Sequence, residues 1–329
     1  MRRTPLLSLF CMSLLALAGC SAINIKLGRR VDLAKTPVTA MEVSLPKGPA
    51  IAPGQKAPLV ATVTEPDGRV LLTEGEGKGK VRWKDLKVTA TIVTADQKGN
   101  ISLSRDPRVS DGKIGHVAVE IPSQPSVTAA ELEVPFRYNV AFVSNFSGAA
   151  GSPGSSGSDG QPGSAGSSGS TDPNSPSPGG NGGNGTDGGN GGDGGPGGNA
   201  PAVLVQMTRQ PGATPLLQIS VSATSHRRLY LVDPAGGTLT VKADGGPGGP
   251  GGRGGRGGQG GAGGSGIPSG NSGSNGADGR SGDDGPTGRG GQITVAYDPS
   301  TQPYLDILHL SSRNGPSPTL REQPVAPLW

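Results

Sequence analysis

Between residues 37 and 143 apolar and polar positions alternate in short stretches: VTAMEVSLPKG, KAPLVATVTEPDG, KVRWKDLKVTATIV, NISLS, GHVAVEIP and AELEVPFRYNVAFV. Leu59, Ala61 and Val63 fall on one side of one stretch, and Val117, Val119 and Ile121 on one side of another. That two-residue period marks a strand with one buried face. Turn-formers such as Pro66-Asp67-Gly68 and Lys98-Gly99-Asn100 separate the stretches. Short strands of Val, Thr and Ile at this spacing predict a β-sandwich, with Trp83 as a core anchor. No stretch carries the period of an amphipathic helix.

The alternation stops at Asn145. Gly148 opens a strict three-residue period that runs to Gly169; STDPNSPSP interrupts it, and GGX triplets resume from Gly179 to Asn199. Apolar strand candidates return in AVLVQMTRQ, LLQISVSAT, RRLYLVD and GTLTVKA. A second triplet region fills 245–290, with one extra residue at Ser269, and QITVAYD and YLDILHL follow it. Neither strand group makes a sheet on its own, because two-stranded assemblies are marginal in water. Residues 202–241 and 292–310 are therefore expected to pack together, with the second triplet region leaving and re-entering one small β domain. A segment tied at both ends loses less entropy on ordering than a free tail does.

The triplets admit several readings. Collagen needs glycine at every third position, but proline is sparse here and the runs are short and broken. A trimeric collagen-like stalk stays as an alternative, chiefly for 148–171. The GGRGGRGG segment around Arg253 and Arg256 resembles an RNA-binding RGG box, yet it lacks interleaved aromatics and follows an export signal; no nucleic-acid partner is expected. GGNGTD at 182–187 hints at a calcium repeat but lacks the aliphatic residue that would follow. A Ser-rich run such as 148–171 suits a flexible linker. For 179–199 with 245–291 the expectation is a bundle of antiparallel polyproline-II helices. Three residues make a turn, so two glycines per triplet bare two faces for close approach. These runs resemble the glycine-rich bundles of certain antifreeze proteins and phage adhesins.

Composition agrees with this division: 60 glycines and 31 prolines against 3% aromatic residues exclude one large hydrophobic core. The chain opens MRRTPLLSLFCMSLLALAGC, with a basic start, a short apolar stretch and small residues, as in a secretion signal. Leu17-Ala18-Gly19-Cys20 resembles the bacterial lipobox. The resemblance implies acylation of Cys20, cleavage before it, and attachment to the cell envelope, with Ser21 pointing to the outer membrane. Several acyl chains hold far better than one. Cys11 leaves with the signal, so thiol catalysis, disulfides and cysteine metal sites are excluded. Losing Arg2 and Arg3 also lowers the formal charge of +4, so basicity does not point to nucleic acid.

Leu45-Pro46, Pro53-Gly54-Gln55, VATVTEPDGRV, Val81-Arg82-Trp83 and Gly115-His116-Val117 resemble the bacterial Ig-like domains of surface proteins. The GEGKGKVRW hairpin and the strand at 131–143 depart from that pattern. The expected fold is thus all-β: an N-terminal Ig-like sandwich and a small C-terminal β domain carrying glycine-rich polyproline-II (GGX) runs. The expected segments are a signal peptide (1–19), a tether (20–36), the Ig-like domain (37–143), a Gly/Ser/Pro linker (144–178), the glycine-rich domain (179–313) and a Pro-rich tail (314–329). His116, His226 and His309 share no ligand spacing, and no nucleophile elbow, phosphate loop or zinc motif is present. No catalytic residue, cofactor or metal is expected. The chain reads as a non-enzymatic, lipid-anchored envelope scaffold or adhesion protein, with envelope proteins or surface polysaccharide as partners. A polysaccharide-binding module is the alternative, and would present Tyr230, Tyr297 and Tyr304 in an exposed row. The layout also looks like that of envelope proteins in large-genome predatory or gliding deltaproteobacteria such as myxobacteria.

Overall fold

The computed structural model describes residues 30–212, 215–224 and 226–329. The signal sequence and Cys20 lie outside the described residues. The chain forms two β-rich units.

The first unit carries β1 (Ala40–Ser44), β2 (Lys56–Pro58), β3 (Val60–Thr64), β4 (Val70–Leu72), β5 (Lys87–Thr91), β6 (Val93–Ala95), β7 (Asn100–Leu103), β8 (Gly115–Glu120) and β9 (Ala130–Val134). They form three small antiparallel sheets, ordered β1-β3-β4, β2-β7-β6 and β5-β8-β9. The expected alternation holds: Leu59, Ala61, Val63, Val117, Val119 and Ile121 all point into one core. Trp83 is buried in that core, and its indole N–H donates to the carbonyl of Glu74 at 3.3 Å. Gly99 lies flat against the indole with φ +72°, so a Cβ there would strike the ring. Beside it, Arg82 grips Asp85 through two hydrogen bonds of 2.8 and 2.9 Å, the fork geometry favoured for a secluded ion pair.

The described part of the expected tether is not free chain. Leu33 is buried in the core, and the side-chain amide of Gln124 donates to the carbonyls of Leu33 and Thr36 at 2.6 and 2.8 Å. The apolar residues of SAINIKLGRRVDLAKT follow no strand or helix period by which to read that docking. Leu229–Gly237 and Trp329 also belong to this unit. There the Trp329 indole donates to Asp111 at 2.7 Å.

The second unit contains β10 (Ala141–Asn145), β11 (Val203–Arg209), β12 (Leu217–Ala223), the start of β13 (His226–Val232), β14 (Thr238–Lys242), β15 (Ile293–Tyr297), β16 (Leu308–Ser311) and β17 (Thr319–Glu322). One sheet is ordered β10-β14-β16 and is wholly parallel. The other is ordered β13-β12-β11-β15-β17, with β11, β15 and β17 parallel and β12 antiparallel to β11. Thus 202–241 and 292–310 do share sheets, through β11 with β15 and β14 with β16.

Two expected boundaries need correction. The expected boundary at 143 cuts through β10, which pairs along its whole length with β14, from Ala141 opposite Thr238 to Asn145 opposite Lys242. The tail at 314–329 contains β17, which adds to β15. β17 is exposed at all four positions, so it lacks the apolar alternation that reveals a strand. The topology also shows what the glycine regions are for. Each pair of them carries the chain from one sheet of this unit to the other. The chain leaves β10 through 148–169 and returns through 179–200 to β11; it leaves β14 through 245–265 and returns through 268–291 to β15.

Candidate interaction surface

These four segments, runs 1 to 4 in chain order, are held side by side by backbone hydrogen bonds that recur every third residue. From Gly148 to Gly169, every third N–H of run 1 donates to run 3, from the carbonyl of Asp244 to that of Ser265, at 2.6–2.9 Å. Both numbers rise together, so the runs are parallel and continue the β10–β14 pairing. Run 2 donates to run 4 in the same sense, from Gly179 on Pro268 to Ala200 on Arg289, and continues into the β11–β15 pairing. The remaining contacts are antiparallel: Gly189 of run 2 donates to Ser158 of run 1, Gly255 of run 3 to Gly189, and Gly279 of run 4 to Gly255.

Runs 2 and 3 therefore each have three bonded neighbours, while runs 1 and 4 have two. Glycine content follows that count. The inner runs carry two glycines per triplet and the outer runs one. In run 3 the second glycine of each triplet is buried from Gly246 to Gly264, the first half-buried, and the third residue exposed. A Cβ on Gly252 would meet the carbonyl of Ser155, and one on Gly255 the carbonyl of Ser158. The interior is thus glycine backbone, with hydrogen bonds where an ordinary core has side chains. The one inner exception, Thr186, compensates: its hydroxyl oxygen accepts the N–H of Gln161 at 2.7 Å.

This corrects the reading of 144–178 as a linker. Gly148 to Gly169 donate to run 3 and accept from run 2 through the intervening serines. The segment 170–178 is the turn between runs 1 and 2, closed in part by the N–H of Ser177 on Ser170 at 3.2 Å. Run 1 looked like a spacer because an outer position needs only one bare face.

The third residue of each triplet makes the surface. On run 2, Asn181, Asn184, Asp187, Asn190, Asp193 and Asn199 are exposed. Each side-chain oxygen accepts a backbone N–H of run 4 at 2.7–2.9 Å, always ninety residues ahead. Where that partner is Pro286, which has no N–H, run 2 has Pro196, which has no acceptor. On run 3, Asp159 and Asp278 accept the N–H groups of Arg256 and Gly257 from either side, at 2.8 and 2.7 Å. Arg253 and Arg256 themselves point outward.

At the base of the runs, Asp244 accepts from the Ser311 hydroxyl at 2.6 Å and the Arg313 N–H at 2.7 Å. Burial pushes its carboxyl upward, but those hydrogen bonds and the charges of Arg313 and Lys242 outweigh it and hold the group below the usual carboxylate range. A depressed folded-state pKa contributes stability above the ordinary value of about 4, and that contribution is lost as pH falls through the folded value. Asp244→Asn keeps the accepting oxygen and removes the charge. The amide protection of its runs, read by segment-resolved hydrogen exchange, is therefore expected to fall less than the wild type's between neutral pH and about pH 3. Parallel acid profiles would refute the staple.

The other singled-out residues do not assemble. His116 is exposed on β8, His309 exposed on β16 and His226 exposed at the start of β13. Among the described residues no group of three or more His, Cys, Asp or Glu is placed to hold a metal ion. Tyr297 is buried, and Tyr230 and Tyr304 are half-buried, so the exposed aromatic row required by the polysaccharide reading is not formed. A shallow depression of about 420 Å³ lies over Ala118, between the cross-strand rows Thr91–His116–Glu133 and Thr89–Ala118–Glu131. Its floor is sheet, and Thr89, Thr91 and His116 are among the residues that line it. No protein-family model matches the chain, and no curated protein matches it either.

Proposed function

We propose that the chain is a lipid-anchored, non-enzymatic envelope scaffold that combines an Ig-like sandwich with a polyproline-II bundle presenting a polar surface. The observation that carries this reading is the threefold hydrogen-bond register of the runs. It matches the three-residue turn of polyproline II, the runs contain no helix or strand, and none of their residues has a positive φ. An isolated polyproline-II helix has no internal hydrogen bonds; here neighbours supply them. Runs of seven or eight triplets extend about 65–75 Å at 3.1 Å per residue, with outward side chains recurring about every 9 Å. Their N–H groups are used within one chain, which argues against the three-chain collagen alternative.

Anchoring through acylated Cys20 would concentrate this surface at the outer membrane, where it would engage other envelope proteins. Cys20→Ala is expected to abolish lipid labelling and move the protein from the membrane fraction to the soluble one. Labelling that persists would refute the anchor. For the scaffold, envelope pull-downs with wild type should be compared with a chain whose outward Arg253, Arg256, Gln259 and Arg280 are all alanine. Loss of partners with unchanged amide protection supports the surface reading; unchanged partners sink it.

A further inference from the structure

We propose that Asn181–Gly182, Asn184–Gly185 and Asn190–Gly191 are latent self-modification sites whose chemistry the bundle suspends. In a free chain, the backbone nitrogen following an asparagine attacks the side-chain amide carbon. The C–N bond to the amide group breaks, ammonia leaves, and a five-membered succinimide forms; water then opens it to aspartate or isoaspartate. Glycine as the next residue favours the attack, because nothing beyond its Cα shields the nitrogen. The reaction needs only water and a local chain able to fold back on itself.

Both reacting groups are occupied here. Asn181 accepts the N–H of Asn271 through its side-chain oxygen at 2.8 Å, while the N–H of Gly182 donates to the carbonyl of the same Asn271 at 2.8 Å. Asn184 and Gly185 hold Ser274 in the same way at 2.9 and 2.9 Å, and Asn190 and Gly191 hold Arg280 at 2.8 and 2.8 Å. Each pair thus clamps one residue of run 4 at two points, its N–H and its carbonyl. Attack requires the glycine nitrogen to give up its acceptor, and the side-chain carbonyl its donor, before the two can meet. That can happen only when run 4 lifts off run 2.

The two products have opposite consequences. Aspartate fits, since Asp187 and Asp193 already occupy equivalent positions and accept the N–H groups of Ala277 and Asp283. Isoaspartate adds an atom to the backbone and destroys the three-residue register beyond it. An opening of the bundle that lasts long enough is thereby written into the chain as a change that prevents reclosure at that level. The proposal rests on the observed clamps and not on the envelope role, so a failed pull-down leaves it standing.

The test is site-resolved mass spectrometry of the full chain, aged at mildly alkaline pH either native or in concentrated urea. Local opening of a protected region keeps its population low, so deamidation at Asn181, Asn184 and Asn190 is expected to be about 100-fold slower or more in the native protein. Gly282→Val, whose side chain would strike the carbonyl of Gly192, should open run 4 near Asn190 and accelerate that site above Asn181. Asn190→Asp should retain native amide protection. Native and denatured rates within about threefold of each other would overturn the proposal, as would a Gly282→Val chain that stays as slow as wild type.

Discussion

Gly255→Val is expected to collapse amide protection across all four runs while leaving the first unit intact. Gly255 is the buried second glycine of its triplet, its N–H bonded to Gly189 and its carbonyl accepting from Gly279. A Cβ there lands on the carbonyl of Ser158 in run 1. That obstacle is backbone, which has no rotamer into which to retreat. The runs must separate at this level, and the loss is then not one contact but the inter-run hydrogen bonds on either side. Overpacking costs about 1–3 kcal/mol in an ordinary core, and each lost hydrogen bond adds about 1 kcal/mol. A total of several kcal/mol is large against typical domain stability. Arg256→Val, one residue on and facing outward, is expected to shift stability by less than about 0.5 kcal/mol. Hydrogen exchange resolved by segment is the measurement, since one melting temperature does not describe two units. Equal effects of the two substitutions would show that burial of the second glycine carries no weight.

The strands of the first unit were legible because their apolar residues alternate and their turns contain Gly, Asn and Pro at the right places. Leu59, Ala61 and Val63 point inward as the period requires. The pairing of 202–241 with 292–310 was legible from a shortage: neither group had enough strands to form a sheet alone. The involvement of β10 was not, because AFVSN continues the pattern of the preceding strands and nothing local says which sheet it joins. β17 was invisible for the opposite reason. As a fully exposed edge strand it has no buried face to leave a trace in the sequence.

The glycine runs held more information than their low complexity suggests. Two glycines per triplet mark a run with three bonded neighbours, and one marks a run with two. Read by that rule, GSPGSSGSDG at 151–160 is an outer member of the bundle. Ser152, Ser155 and Ser158, among the serines that suggested a linker, accept from run 2 through their carbonyls. The neighbour rule also explains why growth stops at four runs. The outer runs turn their only bare face inward, and their exposed side chains keep a fifth run from the close approach that backbone bonding needs. The acidic and amide side chains at the third positions add a second recognition layer, pairing acceptors with N–H groups and Pro196 with Pro286.

Register gives the second large prediction. Deleting Gly254 alone moves every later residue of run 3 back one place. Arg256 then enters the buried position of Gly255, Gln259 that of Gly258, and Ala262 that of Gly261. A guanidinium forced into a line of backbone has no partner and carries the heavy cost of burying an unpaired charge. Order is expected to fail from residue 255 to the turn at 265, and run 4, which depends on run 3 through bonds such as Gly276 on Gly258, should fail with it. Removing a whole level has a different outcome, although it deletes far more chain. Excising 157–159, 188–190, 254–256 and 279–281 together keeps every remaining residue in the three-residue register, with Gly160 now meeting Arg253 and Gly191 meeting Ala277 at the splice, and shortens the bundle by about 9 Å. The hydrogen bonds of one level are lost, but no side chain changes sides. The twelve-residue excision should therefore keep amide protection in the remaining runs, while the one-residue deletion should erase it in runs 3 and 4. If both chains, or neither, lost protection, the runs would not be held by a three-residue register.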